Sequence, residues 1–256
     1  MKTYKGYLID LDGTMYRGSE QIEAASEFVA YLEKNNLPYL FVTNNSSQTP
    51  QQVAEKLNRF QISATKESVF TTSQATANYI SEEKKNANIY VIGEEGLKQA
   101  LINNGHQLVD VHPDYVVIGI DREISYEKLS KACIAVRNGA TFISTNGDIA
   151  IPTEKGLLPG NGALTSVISV STNTSPIFIG KPERIIVEQA LQQLGVAKQD
   201  TVMVGDNYAT DIMAGINCGL DTLLVHTGVT TREHLIHYPI QPTYTVDSLT
   251  DYLKQL

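Results

Sequence analysis

Four polar clusters hold the side chains of this 256-residue chain that could do chemistry: Asp10-Leu11-Asp12-Gly13-Thr14, Thr43-Asn44-Asn45-Ser46, Gly180-Lys181-Pro182, and Gly205-Asp206-Asn207 with Asp211 shortly after. Singly they are ordinary. An Asp-x-Asp triplet arises by chance, and Thr-Asn after a strand usually makes a turn. Brought together, they would gather several carboxylates around one lysine. Two like charges about 4 Å apart repel by about 4 kcal/mol at an effective dielectric near 20. A hard divalent cation removes that repulsion, and Mg2+ prefers a few carboxylate oxygens, retained waters and a phosphate oxygen. A carboxylate screened in this way can attack phosphorus. Lys181 adds positive charge, and backbone N–H groups at the start of the helix after Thr43 can bind phosphoryl oxygens. The chemistry this set suits is phosphoryl transfer.

The elements that must position these clusters are legible as alternating strands and helices. Tyr7 to Leu11, Pro38 to Thr43, Thr201 to Val204, Thr222 to Val225 and Tyr244 to Val246 read as short strands. Between them Ile22, Ala25, Phe28, Val29 and Leu32 fall on one helical face, and Thr49-Pro50 reads as an N-cap followed by proline at the first helical position. Ile186, Val187, Ala190, Leu191 and Leu194 mark a further helix stopped by Gly195. This alternation predicts a doubly wound α/β fold, a parallel sheet covered by helices on both faces. In such sheets ligands bind beyond the carboxyl ends of the strands, where all four clusters stand. A middle region repeats the pattern, with strands near 89–92, 115–120 and 141–144 and helices near 95–104 and 126–138. The expected division is a core of residues 1–78 and 180–256, with an inserted α/β domain over 79–179.

The ordered set Asp10-x-Asp12-Gly13-Thr14, Thr43-Asn44, Lys181 and Gly205-Asp206-x-x-x-x-Asp211 resembles the haloacid dehalogenase (HAD) superfamily. Tyr16-Arg17-Gly18, Thr43-Asn44-Asn45-Ser46-Ser47 and Gly180-Lys181-Pro182 narrow the resemblance to NagD-like phosphatases, the p-nitrophenyl-phosphatase-like branch, over essentially the whole chain. The resemblance implies a Rossmann-like core and a set of roles. Asp10 would be the nucleophile that forms an aspartyl-phosphate. Asp12 would protonate the departing alcohol and then deprotonate the hydrolytic water. Asp10 and Asp206 would bind Mg2+ by side chain and Asp12 by its carbonyl oxygen, with Asp211 and Asn207 supporting the metal from the next layer. Thr43 and Asn44 would bind the phosphoryl group, and Lys181 would offset charge on it and on Asp10. Asp12 also separates chemistries within the superfamily: a halide needs no proton to leave, an alkoxide does, so a phosphatase is expected rather than a dehalogenase.

Only 32 residues separate Asp10 from Thr43, whereas 137 separate Thr43 from Lys181. The insertion therefore occupies the second cap position, as in the NagD-like group. A covered crevice excludes bulk water and large substrates, which favours small phosphorylated metabolites over phosphoproteins. Acid-sugar and sugar phosphates are the first expectation and nucleoside monophosphates the next. Phosphatases of glycolate, glycerol or pyridoxal phosphate are the enzyme rivals, and a non-catalytic phosphate-binding regulator is the rival of another class. By resemblance, Ser144-Thr145-Asn146-Gly147-Asp148 and Pro152-Thr153-Glu154-Lys155-Gly156 face the leaving group, with Asn146 the contact residue; ordinary turn chemistry is the alternative. Pro159-Gly160-Asn161-Gly162 reads as a turn opening a helix rather than a phosphate cradle.

Composition excludes other classes. Hydrophobic residues at 42% and charged residues at 19% argue against disorder. A net charge of -8, with no basic cluster, argues against nucleic acid and anionic membranes. No apolar run nears the roughly 20 residues of a membrane span, and the uncharged stretch Leu157–Gly180 is broken by polar residues and two prolines. The N-terminus lacks a signal-peptide core, so a cytoplasmic protein is expected. His106, His112, His226, His234 and His237 are scattered rather than spaced as metal ligands, and Cys133 and Cys218 read as buried apolar groups. The resemblance also allows a homodimer through cap surfaces.

Overall fold

The computed structural model describes residues 2–153 and 156–256. The chain divides into two compact units. One comprises Met1–Thr43, Gln51–Phe70 and Lys181–Leu256; the other comprises Asn44–Pro50 and Thr71–Gly180.

The first unit is built on a six-stranded sheet. Its spatial order is Tyr244–Val246, Asp221–Val225, Thr201–Gly205, Gly6–Ile9, Tyr39–Thr43, Val69–Thr71. Numbered by position in the chain, these strands run 6-5-4-1-2-3, the doubly wound arrangement. The pairings from Tyr244–Val246 across to Tyr39–Thr43 are all parallel. The order reverses between Gly6–Ile9 and Thr201–Gly205, which pair directly from Gly6↔Thr201 to Ile9↔Val204. A crevice opens at such a reversal because the connections on its two sides leave in opposite directions.

Burial explains why these segments hold. Gly6–Ile9 is buried along its whole length, as a central parallel strand covered on both faces must be. Helix Glu23–Lys34 places Ala24, Ala25, Phe28, Val29 and Leu32 in the core, each at most 3% exposed. Phe28 meets the rings of Tyr7 and Tyr252 edge-on at 5.7 and 5.9 Å. Helix Pro50–Arg59 buries Val53, Ala54 and Leu57 in the same cluster. Helix Arg184–Leu194 ends at Gly195, whose φ of 70° closes it in the left-handed conformation. One strand is shorter than its apolar pattern suggests. Pairing stops at Ile9, because the Leu11 carbonyl is taken by the N–H groups of Thr14, Met15 and Tyr16 in a tight turn.

The second unit carries a five-stranded sheet in the order Ile177–Phe178, Thr141–Ser144, Tyr115–Ile118, Asn88–Ile92, Gln107–Leu108, with every pairing parallel. Helices Glu95–Asn103 and Tyr126–Arg137 lie where the periodicity places them. Helix Asn161–Thr172 starts at the Gly160-Asn161-Gly162 run, and a Cβ on Gly162 would strike the Gly147 carbonyl, so that run is shaped for backbone packing. An antiparallel hairpin, Ala150–Thr153 with Gly156–Pro159, adds to the elements that the sequence pattern predicts; its side chains are mostly exposed and carry no burial signal. No helix among the described residues is long and apolar enough to cross a membrane.

Candidate active site

The turn after strand Gly6–Ile9 and the loop after Thr201–Gly205 lie side by side at the order reversal, and they supply Asp10 and Asp206. A π-helical turn, Tyr208–Ile212, follows Asp206 and carries Asp211. Such turns widen the helix by one residue and are frequent at functional sites. Asp10, Asp206 and Asp211 are 9%, 1% and 1% exposed, and one carboxylate oxygen of each lies within 4.8 Å of the others. Among the described residues this is the only group of three or more potential metal-ligating side chains.

Lys181 is the counterion. Its buried ammonium lies 2.5 Å from Asp10 Oδ1 and 2.8 Å from Asp211 Oδ1, and it donates to the Val42 carbonyl at 2.9 Å. Thr14 is also buried; its hydroxyl lies 3.4 Å from Asp10 Oδ2 and 3.3 Å from Asp206 Oδ1, within reach of both. The Val229 N–H donates to Asp206 Oδ2 at 2.7 Å, and the Asn207 N–H donates to Asp211 Oδ2 at 3.0 Å. The Asn207 side chain accepts from the Ala209 N–H, capping the π-helical turn.

The electrostatics are those of a cluster short of positive charge. Burial, then Asp211 and Asp206, hold the Asp10 carboxyl well above the usual range, against the lowering effect of Lys181. Burial and Asp211 push Asp206 up to about 7. Burial alone would lower Lys181, but Asp10 and Asp211 outweigh it, so its ammonium is held above its ordinary value. Fully ionised, three carboxylates facing one ammonium would leave two negative charges uncompensated, and the raised Asp10 and Asp206 carboxyls reflect that cost. That deficit, with hard oxygen donors at this spacing, fits a divalent cation.

Asp12 differs. It keeps an exposed surface, yet desolvation by the surrounding protein raises its carboxyl, with Lys56 and the Gly18 backbone pulling the other way. Lys56 lies over the Tyr16 ring, 3.8 Å from its centroid, and is itself lowered by burial. Thr43 is buried at the carboxyl end of Tyr39–Thr43, the strand beside Gly6–Ile9.

Asn44 and Asn146 belong to the second unit, where they form a network of their own. Asn146 Nδ2 donates to the Asn44 carbonyl at 2.9 Å, and Asn44 Nδ2 lies 3.3 Å from both carboxylate oxygens of Asp148. The Asp148 N–H donates to Asn146 Oδ1 at 3.1 Å. In the segment Pro152–Gly156, also expected at the leaving group, Glu154 and Lys155 lie outside the described residues. His106 is a structural histidine: its Nδ1 accepts from the Ala87 N–H, and Nε2 lies 3.0 Å from the Ser81 hydroxyl.

Family models match at two places: haloacid dehalogenase-like hydrolase over residues 7–107 and HAD-hydrolase-like over 178–252. The chain is 65% identical to a 5'-nucleotidase, YutF, of Bacillus subtilis, over 100% of both chains. This chain belongs to the haloacid dehalogenase-like hydrolases. An acid sugar phosphatase of Staphylococcus epidermidis is 55% identical over 100% of this chain and 99% of its own. A p-nitrophenyl phosphatase structure from Archaeoglobus fulgidus superposes with a TM-score of 0.95 at 34% identity, covering both chains fully. A thermostable NPPase double mutant from Geobacillus stearothermophilus gives 0.93 at 59% identity over 98% of each chain. Within the haloacid dehalogenase-like hydrolases the chain falls in the NagD-like branch, and it is a phosphoric monoester hydrolase.

Several contacts have no counterpart in the motif reading: the bridging Thr14 hydroxyl, the Val42 carbonyl on Lys181, and the Val229 N–H on Asp206. Val229 follows the carboxyl end of Asp221–Val225, so the strand-end rule that found the other clusters also points there.

Proposed function

We propose that this phosphatase is Mg2+-dependent and acts on small phosphorylated metabolites through an aspartyl-phosphate on Asp10. The observation that carries the reading is the buried Asp10, Asp206, Asp211 and Lys181 cluster, three carboxyl groups against one ammonium at the sheet's order reversal. In this reading Asp10, Asp206 and the Asp12 carbonyl hold the cation, with Asp211 and Asn207 supporting them. When bound, the cation supplies positive charge that lets an anionic carboxylate meet an anionic phosphoryl group.

The chain's own residues then account for the chemistry. An Asp10 oxygen forms a bond to phosphorus as the bond from phosphorus to the leaving oxygen breaks, and Asp12 gives that oxygen its proton. Desolvation keeps Asp12 protonated to higher pH than an ordinary aspartate, which suits the acid half of the cycle. Water then attacks phosphorus and passes its proton to Asp12, the bond to Asp10 breaks, and inorganic phosphate leaves. Lys181 offsets charge on Asp10 and the phosphoryl group, Thr43 and Asn44 bind phosphoryl oxygens, and Asn146 contacts the leaving group. Residues 79–179 form the substrate-specificity domain of this reading, which also includes a cytoplasmic enzyme able to form a homodimer.

Names of relatives support two substrate groups, nucleoside 5'-monophosphates and acid-sugar phosphates. The greater identity to the 5'-nucleotidase gives nucleotides at least equal standing with sugars. Phosphate release from p-nitrophenyl phosphate in Mg2+ and in EDTA tests the metal, and kcat/KM across a panel of sugar, acid-sugar and nucleoside phosphates tests the substrate. Activity lost in EDTA and restored by Mg2+ is expected, with the highest kcat/KM in one of the two groups. Undiminished release in EDTA contradicts the metal assignment, and preference for glycolate, glycerol or pyridoxal phosphate contradicts the substrate assignment.

A further inference from the structure

After strand Asp221–Val225 the chain runs through His226, Thr227, Gly228, Val229 and Thr230, a loop without a catalytic assignment. It is tied to both acidic turns. The Thr227 hydroxyl donates to the Gly13 carbonyl at 2.6 Å, in the turn that carries Asp10 and Asp12. Two residues on, the Val229 N–H donates to Asp206 Oδ2 at 2.7 Å, and the Thr230 N–H donates to the Asp206 carbonyl at 3.1 Å. The Thr230 hydroxyl accepts from the Tyr208 N–H at 2.8 Å, where the π-helical turn bearing Asp211 begins. Between these anchors, a Cβ on Gly228 would fall on Asp206 Oδ2. The loop backbone comes this close so that a main-chain N–H can grip the carboxylate.

We propose that Thr227 is a positioning residue: by latching the loop to the Gly13 carbonyl, it fixes the Val229 N–H on Asp206 and thereby the aim of that carboxylate toward a divalent cation. The inference rests on the reading that Asp206 holds the cation. Its physical basis is that the Thr227 hydroxyl ties the loop directly to the Asp10 turn, while the other ties hold its flanks: Arg17 Nε donates to the Thr227 carbonyl at 2.5 Å, and His226 Nδ1 lies 2.9 Å from the Thr230 carbonyl. Gly228 and Val229 are exposed and Thr227 is half-buried, so burial does little to hold the segment. Without the Thr227 hydroxyl tie, the segment between the Arg17 contact and Thr230 gains conformational freedom, part of which must be lost when Val229 engages Asp206. The grip also falls on one oxygen only, leaving Asp206 Oδ1, beside the Thr14 hydroxyl, to face the cluster. Residues that orient metal ligands from behind typically set affinity by about 10–100-fold.

Calorimetric titration of Mg2+ into the metal-free full chain tests this with wild type, Thr227→Val, Thr227→Ser and Asp206→Asn. Valine preserves the shape and removes the hydroxyl; serine restores the donor. The expected result is Mg2+ binding about tenfold weaker for Thr227→Val, near wild type for Thr227→Ser, and lost for Asp206→Asn. The Mg2+ concentration giving half-maximal turnover should rise by the same factor in Thr227→Val, with kcat at saturating Mg2+ changed less than about twofold. If Thr227→Val binds Mg2+ within about twofold of wild type while Asp206→Asn loses it, the latch is overturned and the metal assignment stands. If Asp206→Asn binds as tightly as wild type, the metal assignment fails and the latch falls with it. Circular dichroism establishes folding; should Thr227→Val not fold, Thr227→Ala enters the same titration under the same criteria.

Discussion

Lys181 and Asp12 carry opposite charges in opposite settings. Lys181 is 2% exposed, and its ammonium touches two carboxylates and a carbonyl, so it is fixed as a cation. Asp12 keeps contact with water while desolvation raises its carboxyl, which suits the acid and base roles proposed for it. A group that serves as acid and then as base must exchange a proton; a group that offsets charge need not. Asp12→Asn should therefore lower kcat for an alkyl phosphate by about 10²–10⁴-fold, and by much less for p-nitrophenyl phosphate, whose phenolate leaves without a proton. Steady-state kinetics on the two esters decide the matter, and equal losses would remove the acid role from Asp12.

The elements that hold these residues depend on packing that the catalytic residues do not share. Helix Glu23–Lys34 is fastened by Phe28 between Tyr7 and Tyr252. Truncating it in Phe28→Ala should lower stability by about 3–5 kcal/mol through lost burial and a cavity, leaving kcat near wild type at low temperature. Urea denaturation followed by tyrosine fluorescence reads the first quantity; an unchanged midpoint would show that the core relaxes into the space. The same helix was legible beforehand because Ile22, Ala25, Phe28, Val29 and Leu32 recur at its period. The acidic clusters were legible because their strands end where apolar runs stop. The hairpin Ala150–Thr153 with Gly156–Pro159 was not, since neither strand buries a face that would impose alternation. Nor was the turn at Asp10-Leu11, where the apolar Leu11 extends the strand pattern but its carbonyl folds the chain back. Asn44 and Asn146 stand out in the sequence singly, but the network that joins them with Asp148 does not, because it links positions about a hundred residues apart and its polar atoms leave no periodic trace.

Across the whole molecule, a net charge of -8 repels phosphate esters, so attraction depends on the local site. Acid stability has a different origin. Asp221 joins the N-terminal segment to the sheet, accepting from the Lys2 ammonium at 2.7 Å and the Tyr4 hydroxyl at 2.9 Å. The Lys2 hydrogen bond, opposed by burial and aided by Tyr4, holds its carboxyl below the ordinary aspartate value. A carboxyl lowered on folding contributes stability above the unfolded pKa of about 3.9 and loses it as pH falls through the lower folded value. Asp221→Asn should therefore lower Tm at neutral pH by a small amount, with the gap to wild type closing in acid below about pH 4. Thermal unfolding across that range checks the sign, and a gap that widens in acid would reverse it.

Whether Asp10 takes the phosphoryl group within a magnesium-charged carboxylate cluster, as proposed, is read by peptide mapping with mass spectrometry of acid-quenched turnover mixtures. A phosphoryl group is expected on the peptide containing Asp10 when Mg2+ is present, and none in EDTA or in Asp10→Asn. A phosphoryl group found on another residue, or full turnover by Asp10→Asn, would contradict the proposal.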